Sequence, residues 1–219
     1  MPTIVAAIAG YLIGTIPSAD TAARIASRRR GSSDLRATGT GNPGALNAAK
    51  TLGWKWGALV LAADIGKGVL ASIAGRRIAG ANGAYAAGAA SVVGHCLPVW
   101  NGFRGGKGVA TSAGTSLVCF PAYAPADAAL ATGLSFLSRG RAELSVGITS
   151  AVFVVAATYW WAAGRKNAWG PEPTVGLPIY AFASSALIIY RLLSAPPIES
   201  DDGAGTTTEA ARLPVEARP

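Results

Sequence analysis

The chain has 219 residues, 51% of them hydrophobic and only 14% charged, well below the roughly 25% typical of soluble domains. This composition excludes an ordinary soluble globular protein and leaves too little polar sequence for a second domain beside the apolar runs, so one integral-membrane domain is expected. The net charge of +8 falls in short loops between apolar segments, which favours lipid headgroups and phosphorylated substrates and argues against nucleic acid as a partner.

Met1-Pro2-Thr3 carries no side-chain charge ahead of the first apolar run, so that run is expected to be a retained helix and not a signal peptide. It extends from Thr3 to about Ile25 and is interrupted by Pro17, Ser18 and Asp20, which predicts a polar end facing protein. Arg28, Arg29, Arg30 and Arg36 follow as the densest basic cluster, placing this loop inside the cell and the N-terminus outside. A second segment, Trp54 to about Ala74, is long enough to cross a hydrocarbon core of about 30 Å. It carries Asp64 and Lys67 three residues apart on one helical face, either as an internal ion pair or as support for the preceding loop.

Arg76 and Arg77 are expected to form a short turn before a third segment, Gly80 to Val99. There Gly80, Ala84 and Gly88 repeat every four residues, a spacing that lets membrane helices approach closely. The run from Val109 to Leu137 would measure about 43 Å as one helix, and Pro121 and Pro125 divide it into two short or re-entrant helices. Spans from Leu144 to Trp161 and from Val175 to Leu193 follow. The expected fold is all-α: a polytopic transmembrane helix bundle of about seven segments if the proline-split run counts as two, with Arg139, Arg141 and the C-terminus inside; counted as one, the last loops and the tail flip. Residues 1–193 form the membrane domain. Residues 194–219, rich in Pro, Ser, Thr, Gly and acidic side chains, are expected to be a disordered cytoplasmic tail.

Polar chemistry is concentrated in two stretches. Cys96 and Cys119 lie beside or within apolar runs, and with a single histidine they cannot supply a zinc set, so neither metal nor cofactor is expected. In the stretch from Asp34 to Lys50, Gly39-Thr40-Gly41-Asn42-Pro43-Gly44 matches the dinucleotide-binding pattern, but no hydrophobic strand precedes it. What remains is a loop whose glycines can turn backbone N–H groups inward, with Thr40, Asn42 and Asn47 as donors and Arg36 and Lys50 as charges. It is either an anion-binding loop or a glycine-rich connector.

The second stretch runs from Gly94-His95 to Gly105-Gly106-Lys107-Gly108-Val109-Ala110-Thr111. It lacks the Ser or Thr that must follow the lysine of a Walker A loop, yet it sets a lysine and a helix N-terminus among glycines, a phosphate-binding arrangement. His95 is either a hydrogen-bonded structural histidine at a helix end or a group that handles a proton or a phosphate. With the N-terminus outside, both stretches fall on the cytoplasmic face, as one composite site.

At these residues the chain resembles the bacterial acyl-phosphate:glycerol-3-phosphate acyltransferase family, the PlsY type, over about residues 10 to 193. Its first motif is matched at Asp34, Arg36, Gly39, Gly41, Asn42, Gly44, Ala45 and Asn47, with Thr40, Leu46 and Lys50 where the family has serine, threonine and arginine. The second is matched at Gly94, His95, Pro98 and Gly105 through Thr111. The third, a His-Arg-Glu-Asn-Ile-like run, has no counterpart after Ile188-Ile189-Tyr190-Arg191.

The resemblance implies a seven-helix inner-membrane enzyme that moves a fatty acyl group from acyl phosphate to the 1-hydroxyl of glycerol 3-phosphate, giving lysophosphatidate. It implies catalytic roles for His95, Lys107 and Thr40 and substrate contacts from Arg36, Gly39, Gly41, Asn42, Asn47, Lys50, Gly105, Gly106 and Gly108. Thr40, Asn47, Lys50 and Lys107 would hold the two phosphates. No Ser-His-Asp set or activated cysteine is identifiable, so positioning and electrostatics are expected to drive the reaction, with a substrate phosphate oxygen or His95 taking the proton. The missing third motif leaves an alternative: a catalytically impaired homologue that binds phospholipid precursors or partner enzymes.

Overall fold

A computed structural model describes residues 1–27, 34–139 and 141–194, and among these all regular structure is helical. The cluster Arg28 to Arg30 and the tail expected over 194–219, apart from Ser194, lie outside the described residues. The helices are α1 (Pro2–Gly14), α2 (Ser18–Ser27), α3 (Ala45–Leu52), α4 (Trp54–Cys96), α5 (Val109–Cys119), α6 (Ala124–Leu137), α7 (Ala142–Ala162) and α8 (Gly176–Leu193). Four stretches among the described residues, Pro2–Ser27, Trp54–Asn101, Ala142–Ala162 and Gly176–Leu193, are long and apolar enough to cross a membrane.

The second and third expected segments are one hairpin. Helix α4 breaks at Ala79 (φ −142°) and Gly80 (φ 59°), so Arg76 and Arg77 sit inside its first arm and the turn comes after them. Gly80 therefore does not belong to the small-residue packing row. It supplies the left-handed backbone that reverses the chain, while Ala84 and Gly88 do pack closely, against Cys119 and Ser72. The two arms touch through Gly75 and Gly83, where an added β-carbon on either would overlap the other's carbonyl oxygen.

Helix α1 lies along the second arm. Gly10 faces Ala87 and Gly14 faces Ser91, so the two helices run in the same direction at backbone contact distance. On the other side Gly68 and Gly114 let α5 press against the first arm. Pro17 ends the apolar helix, and α2 and α3 form a cap packed over Val60 through Ala22, Ala23, Leu35 and Ala48. The break between α5 and α6 falls at 120–123, with Pro121 inside it and Pro125 in the first turn of α6.

The described residues thus make seven passes between two ends: α1, both arms of α4, then α5, α6, α7 and α8. At one end the α4 turn, the α5–α6 break and the α7–α8 loop are tied together. Arg76 donates to the Trp169 carbonyl at 3.0 Å, Asn167 Nδ2 to the Cys119 carbonyl at 2.9 Å, and Tyr85 to the Glu172 carbonyl at 3.1 Å. An aromatic core of Tyr85, Phe120, Phe153 and Tyr180 fills the space beneath. Both polar stretches lie at the opposite end.

Candidate active site

Asp34 to Gly44 form a loop held together by the buried side chain of Asn47 on α3. Asn47 Oδ1 accepts the Thr40 N–H at 3.0 Å, and its Nδ2 donates to the Leu35 and Thr38 carbonyls at 2.7 and 3.0 Å. With 1% of its surface exposed, Asn47 shapes the loop instead of reaching a ligand, contrary to the expectation for it. Gly39 (φ 58°) is needed because its missing β-carbon leaves room for that amide.

Arg36 links this loop to the rest. It grips Asp20 of α2 with both guanidinium arms, at 2.5 and 3.1 Å, and donates to the Arg104 carbonyl at 3.1 Å. The paired bonds to Asp20 raise its affinity for its proton, although partial burial works the other way. Asp20 also accepts from Asn101 Nδ2 at 2.8 Å, so a carboxylate on α2 ties together the two polar stretches.

The α4 hairpin delivers the second group. Returning the chain at Gly80 puts His95, on the second arm, beside Asp64 and Lys67 on the first: Asp64 Oδ1 is 2.9 Å from Lys67 Nζ and 3.5 Å from His95 Nδ1. Lys67 pairs with Asp64 as an ion and donates to the Ile16 carbonyl at 3.2 Å, while Asp64 Oδ1 accepts no aligned hydrogen bond. All three side chains are buried.

Gly105 and Gly106 fold back onto the end of α4. Their N–H groups donate to the Cys96 and His95 carbonyls, each at 3.1 Å, so they are taken up within the protein and not left beside Lys107 for a phosphate. Gly106 is a glycine because the His95 imidazole occupies the place of a β-carbon, and Gly108 takes the left-handed conformation (φ 87°) that starts α5. From α8, Arg191 donates to the carbonyls of Gly105 at 2.7 Å and Gly106 at 3.3 Å.

Between these parts lies a cleft of about 290 Å³, counting its open mouth. Arg36, His95, Gly105 and Gly106 line it, joined by Asp20, Asp64, Lys67 and Asn101, which the sequence did not single out for the site except for the Asp64–Lys67 pair. Thr40, Lys107, Gly39, Gly41, Asn42, Asn47, Lys50 and Gly108 do not line it, although Pro43 and Gly106, next in sequence to Asn42 and Lys107, do.

Charge is apportioned unevenly. Arg36 and Lys67 are each paired with a carboxylate, whereas Lys50, Arg104 and Lys107 form no ion pair among the described residues. A second, apolar cavity of about 1070 Å³, again with its open part, lies between α5, α6, α7 and α8.

A family model described as glycerol-3-phosphate acyltransferase matches residues 4–195. The chain belongs to the glycerol-3-phosphate acyltransferase family. A glycerol-3-phosphate acyltransferase of Symbiobacterium thermophilum is 37% identical over 188 residues, covering 85% of this chain and 79% of the relative. One from Allorhizobium ampelinum is 37% identical over 200 residues, covering 88% and 91%. Among solved structures, the integral-membrane acyltransferase PlsY in its glycerol 3-phosphate form superposes with a TM-score of 0.69 at 31% identity, covering 87% of this chain and 88% of that one. Its lysophosphatidic acid form gives 0.67 at 30%. The acyltransferase fold thus brings Arg36 and His95, 59 positions apart in the sequence, to a single cleft.

Proposed function

We propose that the cleft is where this acyltransferase joins acyl phosphate to glycerol 3-phosphate, with its mouth on the cytoplasmic side of the membrane. The observation that carries the proposal is the meeting of both polar stretches at one cleft, sealed by the bonds from Arg36 to Asp20 and to the Arg104 carbonyl. The relatives' names and the glycerol 3-phosphate and lysophosphatidic acid forms of PlsY support the acceptor and the product. The donor is inferred from the charge: two phosphates need cations beyond those already paired, and Lys50, Arg104 and Lys107, which belong to the two polar stretches, form no ion pair among the described residues.

In this reading the 1-hydroxyl oxygen attacks the acyl carbonyl carbon. An ester C–O bond forms, the bond from that carbon to the phosphate oxygen breaks, and inorganic phosphate leaves. The hydroxyl proton passes to His95 Nε2 or to a phosphate oxygen. The Asp64 carboxylate, 3.5 Å from Nδ1, favours the tautomer with its proton on that nitrogen and Nε2 as the acceptor. Lys107 at the start of α5 stabilises the charge that develops on the leaving phosphate. The acyl tail lies in the larger cavity, which Ile65 and Val109 help to line. Residues 1–193 carry the whole of this machinery.

Cytoplasmic orientation is supported by the distribution of cations. Arg36, Lys50, Lys55, Arg104, Lys107, Arg139, Arg141 and Arg191 gather at the cleft end, against Arg76, Arg77, Arg165 and Lys166 at the other. The test is acyl transfer by purified protein in lipid, with acyl phosphate or acyl-coenzyme A offered separately. Acyl phosphate should give lysophosphatidate and inorganic phosphate in equal amounts. Product from the thioester donor alone would overturn the assignment.

A further inference from the structure

Arg36 lines the cleft, yet its paired N–H groups are already taken. The edge formed by Nη1 and Nη2 meets both oxygens of Asp20, at 2.5 and 3.1 Å. The edge formed by Nε and Nη2 meets the Arg104 carbonyl, at 3.3 and 3.1 Å. Asp34, 4.0 Å from Nη1, is a second and more exposed carboxylate. A carboxylate and a phosphate offer a guanidinium the same pair of oxygens, so Asp20 occupies the edge that a phosphate would take.

Asp64 and Lys67 also line the cleft as a pair, and burial separates the two pairs. The Lys67 and Asp64 side chains are 5% and 3% exposed, so parting them would strand a charge away from water. The Arg36 and Asp20 side chains are 27% and 19% exposed, where water can solvate a released carboxylate. Release also leaves each partner held. Asp20 Oδ2 still accepts from Asn101 Nδ2 at 2.8 Å, and Arg36 still donates to the Arg104 carbonyl. Of these pairs, the one with Asp20 is the one that exchanges at small cost.

We propose that Asp20 holds the place of the acceptor's phosphate and sets the cleft's affinity for it. Glycerol 3-phosphate binds by displacing the Asp20 carboxylate from the Nη1 and Nη2 edge of Arg36, while the Arg104 carbonyl keeps the guanidinium in position. This rests on the reading that the acceptor enters this cleft. Asp20 acts through Arg36 and touches no reacting atom. With the acceptor's phosphate on Arg36, Lys107 remains for the phosphate that leaves the donor.

The test is the dissociation constant of glycerol 3-phosphate alone, measured by calorimetry on the purified full chain in lipid, with thermal unfolding to confirm that each variant folds. Asparagine keeps the shape of Asp20 and an acceptor oxygen but gives up the charge. Asp20→Asn should therefore bind about five- to tenfold more tightly than the wild type, the scale of one charge-assisted hydrogen bond. Asp20→Ser, which also lacks the carboxylate, should behave the same way. Arg36→Gln should weaken binding, and adding Asp20→Asn to it should gain nothing. Weaker or unchanged binding by both Asp20 variants overturns the proposal and makes the pair a strut between loops. An equal gain in the Arg36→Gln background also overturns it, since Asp20 would then be only a repulsive charge near the phosphate. Ser18→Phe, on the cleft wall, separates the two readings. If it weakens binding while the Asp20 variants do not tighten it, the acceptor uses the cleft and only the exchange at Arg36 fails. If it binds as the wild type does, the acceptor lies elsewhere and both readings fall.

Discussion

The imidazole of His95 sits where a side chain at Gly106 would be, with its ring atoms inside the reach of a β-carbon there. Gly106→Ala must push the ring or the loop aside, and a displacement of about 1 Å at a reacting group can cost about a hundredfold. The expected outcome is a fall in kcat of that order with a smaller change in KM for glycerol 3-phosphate, read from steady-state kinetics in lipid. Of the residues that spacing and composition singled out, Arg36, His95, Gly105 and Gly106 line the cleft, whereas Thr40 and Lys107 do not. Roles were less legible. Asn47 looked like a donor for phosphate because a buried amide and an exposed one are the same letter, and the N–H groups of Gly105 and Gly106 looked free because their partners are backbone carbonyls, which no sequence pattern reveals. Asp20 read as an interruption of an apolar run, and only the fold shows it holding Arg36 and Asn101.

Helices were legible as apolar runs and their ends as proline or glycine, but Pro121 and Pro125 alone left one crossing or two open over 109–137, where the structure has α5 and α6. The hairpin in α4 was read with its turn a few residues early. Arg76 and Arg77 are good helix formers whose charge suggested a turn, but reversal needs the positive φ that Gly80 provides at 59°. Which helices touch was not legible, and so neither was the contact between His95 and Asp64, made when the two arms close. The same holds for α8. Its last turn ends where the family's third motif would begin, and Arg191 there braces the Gly105–Gly106 loop through two carbonyls. Arg191→Gln should loosen that loop and lower kcat/KM by about tenfold, the scale of a charge-assisted hydrogen bond. Arg191→Lys should not restore it, since an ammonium on a flexible stem lacks the guanidinium's planar fork for two acceptors. The comparison is made on kcat/KM for glycerol 3-phosphate in lipid, with thermal unfolding as the control for stability.

Across the whole molecule, one end of the bundle is tied by hydrogen bonds and aromatic packing, and the other carries a cleft and most of the loop cations. That asymmetry suits a membrane enzyme with a small phosphorylated acceptor and a lipid product: a polar cleft at one end and an apolar cavity elsewhere in the same bundle. The cations within the cleft are already matched to Asp20 and Asp64, so the account assigns stabilisation of the leaving phosphate to Lys107, which is free of ion pairs among the described residues and stands next to the loop that touches His95. The most direct measurement is kcat/KM for acyl phosphate and glycerol 3-phosphate, wild type against Lys107→Ala, both purified in lipid. The expected result is a loss of about 10²- to 10³-fold, the scale for removing one preorganised transition-state donor. A Lys107→Ala enzyme as active as the wild type would contradict the account.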